Sequence, residues 1–255
     1  MLLSFNTKLS KRFKSQSQRI RVLTESWVNN QVFCPACGCD IKHYENNKPV
    51  ADFYCLNCKE EYELKSKRDS IGNKVVDGAY RTMIERLQSS CNPNFFLLSY
   101  NLRSLKVSDF FVIPKHFFVP DIIEKRNPLS ASARRAGWIG CNIDLRSIPQ
   151  SGKIFFVKDS RIQTKNNVLK SWVKTLFLKN EKEPLAKGWI LDVMSCIDKL
   201  GKYKFSLTEI YFFEGFLRKK YPQNKHIKDK IRQQLQFLRN KGYLKFLGRG
   251  KYEIT

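Results

Sequence analysis

Apolar residues recur at intervals of three and four in some stretches of the 255-residue chain and at intervals of two in others, and these periods separate helices from strands. Ile20, Leu23 and Trp27 mark one face of an early amphipathic helix. The run "VVDGAYRTMIERLQSS" places Ala79, Met83, Ile84 and Leu87 at helical spacing, and the Asn-Pro pair beyond it ends the run. "FFLLSY" (95–100) is apolar without alternation, as in a strand buried on both faces. "PVADFYC" (49–55) and "EYELKSK" (61–67) read as partner strands joined at a cysteine pair, with Asp52 facing Glu63 across the pair.

At "KNEKEPLAKG" (179–188) the periodicity lapses into charges and a proline, which places a domain boundary there and predicts domains at 1–180 and 184–255. Beyond it "WILDVMSCIDKL", "SLTEIYFFEGFLRKK" and "HIKDKIRQQLQFLRNKG" are three helices by period, the second opening with Ser206 and Glu209 in capping-box positions. "YLKFLGRGKYEIT" adds two short strands about a glycine-bounded turn. Three helices and a hairpin make a winged helix, a relative of the helix-turn-helix module whose last helix enters the major groove.

Charge changes the picture from fold to partner. With 47 Lys and Arg against 23 Asp and Glu, the net charge is +24, and such an excess most often serves a polyanion such as double-stranded DNA; a basic ribosomal or membrane-surface protein is the plainer alternative. Lys225 to Lys251 carries nine of these basic residues and one acid, Asp229. On the third helix Ile227, Ile231, Leu235 and Leu238 form the expected buried stripe, leaving Lys225, Lys228 and Lys230 to grip phosphates and Arg232 and Gln233 to reach base edges. Arg249 and Lys251 sit on the wing. A protein-binding winged helix with a solvated basic face would show the same pattern. No apolar run reaches the length of a membrane span, and "MLLSF" is too short for a signal-peptide core, so a soluble, cytoplasmic protein without a membrane partner is expected.

Eight cysteines in a reducing compartment argue against disulfides. Cys34, Cys37, Cys55 and Cys58 give C-x2-C-x17-C-x2-C, the spacing at which two knuckles present four thiolates to one zinc ion. With every ligand position filled by sulfur, such a zinc braces structure and performs no chemistry; buried free thiols are the alternative. Cys39 is surplus to this set, and Cys91, Cys141 and Cys196 read as small buried apolar residues.

Strand alternation sends Glu61, Glu63 and Lys65 to one face of "EYELKSK". With Asp52 facing Glu63 from the partner strand, Asp52, Glu63 and Lys65 converge on one sheet face, where two carboxylates can hold a hard divalent cation while the ammonium activates or orients a water, the chemistry of phosphodiester hydrolysis; a merely solvated charged strand remains the alternative. A further stretch, "ARRAGWIGCNID", sets Arg134 and Arg135 beside Trp138 on a glycine-rich backbone. Arginine reaches phosphate, and indole can pack against the methyl group of a modified base, unless Trp138 is simply core. His226 is expected to begin a helix and not to serve as a ligand, and neither His43 nor His116 has an evident partner for general-base work.

The order helix, zinc-tipped strands, helix, strand resembles the α/β core of the PD-(D/E)xK nucleases. "ENNKPVADFYCLNCKEEYELKSK", "NPNFF" and "ARRAGWIGCNIDL" together are more specifically similar to DpnI-like restriction endonucleases, over most of the chain. The resemblance implies cleavage of DNA at GATC when the adenine carries an N6-methyl group, with Asp52, Glu63 and Lys65 as catalytic residues. It also implies magnesium held by Asp52, Glu63 and the Leu64 carbonyl, and zinc on the four knuckle cysteines. Ala51 stands where the motif's proline would be, a letter that does no chemistry. Nothing functional is carried over at 66–76 or 159–187. Two other readings stay open: a non-enzymatic zinc-ribbon and winged-helix regulator, and a nuclease of the same fold reading another site. No dimerisation face is evident, which favours a monomer.

Overall fold

A computed structural model describes residues 1–45, 51–89 and 92–255. It divides into two units, Met1–Arg146 with Ser151–Thr175, and Ser147–Gln150 with Leu176–Thr255. Pro49 and Val50 of one expected strand, and Cys91, lie outside the described residues.

The first unit runs through α1 (Gln16–Gln31), β1 (Ile41–His43), β2 (Phe53–Cys55), β3 (Glu61–Arg68) and β4 (Lys74–Ala79). Then come α2 (Tyr80–Gln88), β5 (Asn94–Asn101), β6 (Lys106–Ile113), β7 (Ile123–Lys125) and β8 (Gly140–Asp144). β9 (Ile154–Lys158), β10 (Arg161–Ile162) and α3 (Lys165–Val173) complete it. Seven strands form one sheet in the order β1-β2-β3-β5-β6-β9-β10, in which β3 and β5 are parallel from Tyr62↔Asn94 to Arg68↔Tyr100. Covered on both faces, β5 buries every residue from Asn94 to Tyr100, which is why its sequence is a continuous apolar run and does not alternate.

α1 lays Ile20, Leu23, Trp27 and Val28 on one face of this sheet, among Phe53, Tyr62, Phe96, Phe110 and Phe156. Trp27 meets Phe110 edge-on at 5.3 Å and Tyr62 stacks on Phe96 at 4.4 Å. Full burial of each such side chain is worth roughly 1.5–3 kcal/mol, so β3, which carries Glu63 and Lys65, is seated on a well-packed platform.

A second sheet, ordered β4-β8-β7, is antiparallel. It corrects one expectation. Lys74–Ala79 is a strand and the helix begins only at Tyr80. The β-branched pair Val75 and Val76 alternates buried and exposed, as in a strand, and the register shifts between Asp77 and Ala79, around Gly78. Of the residues at helical spacing, Met83 is the buried one within the helix.

The second unit contains α4 (Pro184–Lys199), β11 (Lys204–Ser206), α5 (Leu207–Tyr211), α6 (Glu214–Lys220), α7 (Ile227–Asn240), β12 (Leu244–Gly248) and β13 (Lys251–Ile254). Its core joins α4 to the end of α6: Trp189 stacks on Tyr221 at 3.8 Å, and the buried Asp192 accepts hydrogen bonds from Lys220 at 2.6 Å and the Tyr221 hydroxyl at 2.5 Å. The Ile227, Ile231, Leu235 and Leu238 stripe of α7 is buried as expected. Ser206 and Glu209 form the reciprocal capping box. Two details differ from expectation. The helix after that box is broken, because the bonds Phe212 N–H to Glu209 and Phe213 N–H to Ile210 tighten the chain before α6 starts. The hairpin also gains a third strand, β11, paired with β13.

Candidate active site

Both cysteine knuckles are built alike. In each, the residue four beyond the first cysteine donates its N–H back to that cysteine's carbonyl, Gly38 to Cys34 at 2.8 Å and Lys59 to Cys55 at 3.0 Å. Both turns leave the chain in the left-handed region, with φ of +78° and +61°. The result gathers the sulfurs of Cys34, Cys37, Cys55 and Cys58 within 4.8 Å of one another. The pairs Cys34–Cys58 and Cys37–Cys55 stand 3.4 and 3.5 Å apart, close to the roughly 3.8 Å edge of a tetrahedron with 2.3 Å metal–sulfur bonds. The donor set and its spacing fit a four-sulfur metal centre. Cys39 is exposed, and Cys141 and Cys196 are buried as expected of small apolar residues. The Tyr62 hydroxyl lies 3.1 Å from Cys34 Sγ, linking this cluster to β3.

β2 and β3 are antiparallel with Phe53 opposite Tyr62, so one step further Asp52 comes beside Glu63. β3 continues past the end of β2, and its next backbone donor is satisfied by a side chain: Leu64 N–H donates to Asp52 Oδ2 at 2.7 Å. Glu63 and Lys65 project together, Nζ to Oε1 at 2.6 Å. The second Glu63 oxygen, Oε2, is buried without a hydrogen-bond partner, Arg86 standing 3.7 Å away. An acidic oxygen left in this state, beside a second carboxylate fixed by backbone, fits a hard divalent cation. Burial is the main influence on Glu63 and pushes its carboxyl up from the usual range. Burial pulls the Lys65 ammonium down, but Glu63 and Asp77 outweigh it and hold it up at about 12.

Asp52, Glu63, Leu64 and Lys65 line an open cleft of about 680 Å³ whose other wall is α1, through Gln16, Arg21 and Glu25. Two participants were not anticipated from sequence. One is this helix wall, where Ile20 of the apolar stripe lines the cleft together with the polar Gln16, Arg21 and Glu25. The other is Asp77, which meets Lys65 Nζ at 2.5 Å; it lies in the segment expected to be helical, and only the strand geometry of β4 aims it there. His43 lies 3.6 Å from Glu25, and His116 Nε2 lies 2.9 Å from Thr175 Oγ1.

The candidate contact residues occupy two other places. Arg134 and Arg135 are exposed on the loop before β8, and Trp138 is half-buried. That loop is closed by Gly137 N–H to Leu129 and Leu129 N–H to Trp138, both to carbonyls, and the Arg135 guanidinium lies 4.8 Å from the Trp138 ring. Trp138 rests on Gly140, where an added Cβ would approach the ring at 2.8 Å. In the second unit Lys225, Lys228, Arg232 and Gln233 are exposed and Lys230 half-buried. Lys228 pairs with Glu214 at 3.6 Å and Arg232 with Asp229. Arg249 and Lys251 are exposed at the β12–β13 turn, where Gly248, Arg249 and Gly250 are all left-handed. No helix among the described residues is long and apolar enough to cross a membrane.

Residues 1–181 match the family model described as DpnI, the Dam-replacing family, and residues 185–254 match the Dam-replacing HTH domain, DpnI_C.

Proposed function

The chain belongs to the DpnI family of Dam-replacing proteins and ends in that family's HTH domain, and from this premise we propose that it is a magnesium-dependent, methyl-directed restriction endonuclease. It hydrolyses phosphodiester bonds of double-stranded DNA at adenine-methylated sites, G(6mA)TC foremost, in the cytoplasm and as a monomer. The observation that carries the reading is the meeting of Asp52, Glu63 and Lys65 in one open cleft, with a buried Glu63 oxygen lacking a hydrogen-bond partner. Residues 1–180 form the PD-(D/E)xK nuclease domain, braced by zinc on Cys34, Cys37, Cys55 and Cys58. Residues 184–255 form a winged helix that adds a second DNA contact through α7 and the β12–β13 turn.

Magnesium bound by Asp52, Glu63 and the Leu64 carbonyl supplies positive charge to the phosphoryl oxygens. The chain's own groups do the rest. The Asp52 carboxylate is oriented before substrate arrives by the Leu64 N–H. Lys65, whose ammonium has three donors, spends two on Glu63 and Asp77 and directs the third to the attacking water or the scissile phosphate. The water oxygen bonds to phosphorus as the bond from phosphorus to the sugar oxygen breaks, the water giving up a proton to solvent in the open cleft and the departing sugar oxygen taking one from it. Trp138 offers an apolar face to the N6-methyl group, and Arg134 and Arg135 hold the neighbouring phosphates.

The test is incubation with plasmid prepared from adenine-methylating and non-methylating hosts, with magnesium or with chelator. Cutting of the methylated plasmid alone, and only with magnesium, is expected; Asp52→Ala and Lys65→Ala should abolish it while DNA affinity in chelator stays within about twofold. Ordinary cutting by Asp52→Ala would remove this active site, and equal cutting of both plasmids would remove the methyl dependence.

A further inference from the structure

Lys65 Nζ is shared almost evenly, 2.6 Å from Glu63 Oε1 and 2.5 Å from Asp77 Oδ1. The two acids arrive from different sheets: Glu63 from β3 of the seven-stranded sheet, Asp77 from β4 of the three-stranded one. Asp77 is opposite Cys141 of β8, immediately before the irregularity in β4, and a bulge of this kind re-aims a side chain. Its side chain is 6% exposed, against 17% for Glu63 and 23% for Lys65, so it reaches a substrate only through Lys65. A lysine facing a single carboxylate makes a close ion pair with it and competes with any cation for that carboxylate. Here the Lys65 charge is divided between two acids, and Glu63 Oε2 keeps no hydrogen-bond partner, facing the Arg86 guanidinium at 3.7 Å, longer than a hydrogen bond.

We propose that Asp77 is a positioning residue of the cleavage site, sharing the Lys65 ammonium with Glu63 so that its charge does not fall on Glu63 alone, Glu63 remains available to the metal ion, and one Lys65 N–H remains directed at the cleft. The inference rests on the endonuclease reading and adds to it a residue that touches neither DNA nor metal. It also makes the sheet that follows the arginine–tryptophan loop a structural part of the catalytic centre, since β8 carries the register that places Asp77.

Asp77→Asn is the direct test, because the amide keeps the shape and an acceptor oxygen but loses the charge. In the full chain without DNA, calorimetric titration with manganese should show affinity weakened about fivefold or more, as the Lys65 charge then falls on Glu63 alone. Single-turnover cleavage of a methylated duplex should slow at least about tenfold, while DNA affinity measured in chelator stays within about twofold. Asp77→Glu, which restores the charge on a longer stem, should recover part of both the manganese affinity and the rate. Wild-type manganese affinity and rate in Asp77→Asn overturn the proposal, and so does a fall in DNA affinity in step with the rate, which marks a merely structural role. Should Asp77→Asn melt early, Asp77→Glu decides: no better than Asn in either measurement, it overturns the proposal as well. Failure of the unaltered chain to cut any duplex with magnesium would remove the endonuclease reading and this inference together, whereas equal cutting by wild type and Asp77→Asn removes this inference alone.

Discussion

Lys59 and Gly38 stand at equivalent places in the two knuckles, and both have positive φ. Glycine takes that conformation without cost, whereas a side chain brings Cβ against the following carbonyl at about 1–2 kcal/mol. Lys59 is exposed, and its N–H bond to Cys55 is a backbone one that glycine would keep. Lys59→Gly should therefore stabilise the protein, by up to about 1 kcal/mol once the greater freedom of the unfolded glycine chain is subtracted. That corresponds to roughly 2–4 °C in thermal midpoint for a chain of this size. A lowered midpoint in a thermal melt would show that the Lys59 side chain makes a compensating contact. The same scale separates what sequence could and could not reveal about the cleft. Asp52, Glu63 and Lys65 were legible because strand alternation and one hairpin pairing suffice to bring them together. Asp77 was not, because its approach to Lys65 depends on a second sheet docking beside the first.

Among the elements, those whose burial follows from their own period were legible: the Ile20, Leu23 and Trp27 face of α1, the unbroken apolar run of β5, the stripe of α7. Those decided by neighbours were not. Val75 and Val76 precede a true helical spacing and were absorbed into it, although pairing with β8 makes them strand. Ile210 and Leu217 are both buried and seven residues apart, which suits one continuous helix as well as the broken one observed. The knuckle hairpin shows the local rule at its strongest, since four cysteines specify its position and gather into the cluster proposed to brace it. β1 and β2 are only three residues each, too short to hold by pairing alone, so their order should depend on the metal. Cys55→Ser is expected to lower zinc content and stability together, metal binding and folding being coupled. Because β5 and β6 are paired and buried independently of the thiols, the loss should be local. Amide exchange should accelerate in β1 and β2 while β5 and β6 stay protected; uniform loss would mean the zinc holds the whole unit, and zinc-free protein with a normal melt would remove the site.

At the scale of the whole molecule, a charge of +24 attracts any nucleic acid and cannot by itself select a methylated site. Selection requires a contact that changes with one methyl group, and grip requires contacts that do not. The residues proposed for the two tasks lie in separate units: Trp138, stacked beneath Arg135, in the first, and the basic face of α7 in the second. Each should therefore fail differently. Trp138→Ala removes apolar surface available to the methyl group and should reduce the preference for methylated over unmethylated duplex, at the scale of about 1 kcal/mol or fivefold, while leaving the salt dependence of binding in place. Replacing Lys228 and Lys230 with Gln should weaken binding to both duplexes alike. Each phosphate contact contributes about −0.9 to the slope of log affinity against log salt, so the pair should flatten it by up to about 1.8. Lys228 already faces Glu214 at 3.6 Å, an exposed pair worth little, so trading it for a phosphate costs little. The decisive comparison is binding of the two variants, in chelator, to matched methylated and unmethylated duplexes across a salt series. If the lysine pair alters methyl preference and Trp138→Ala does not, methyl reading belongs to the second unit, and the loop before β8 serves only to hold phosphate.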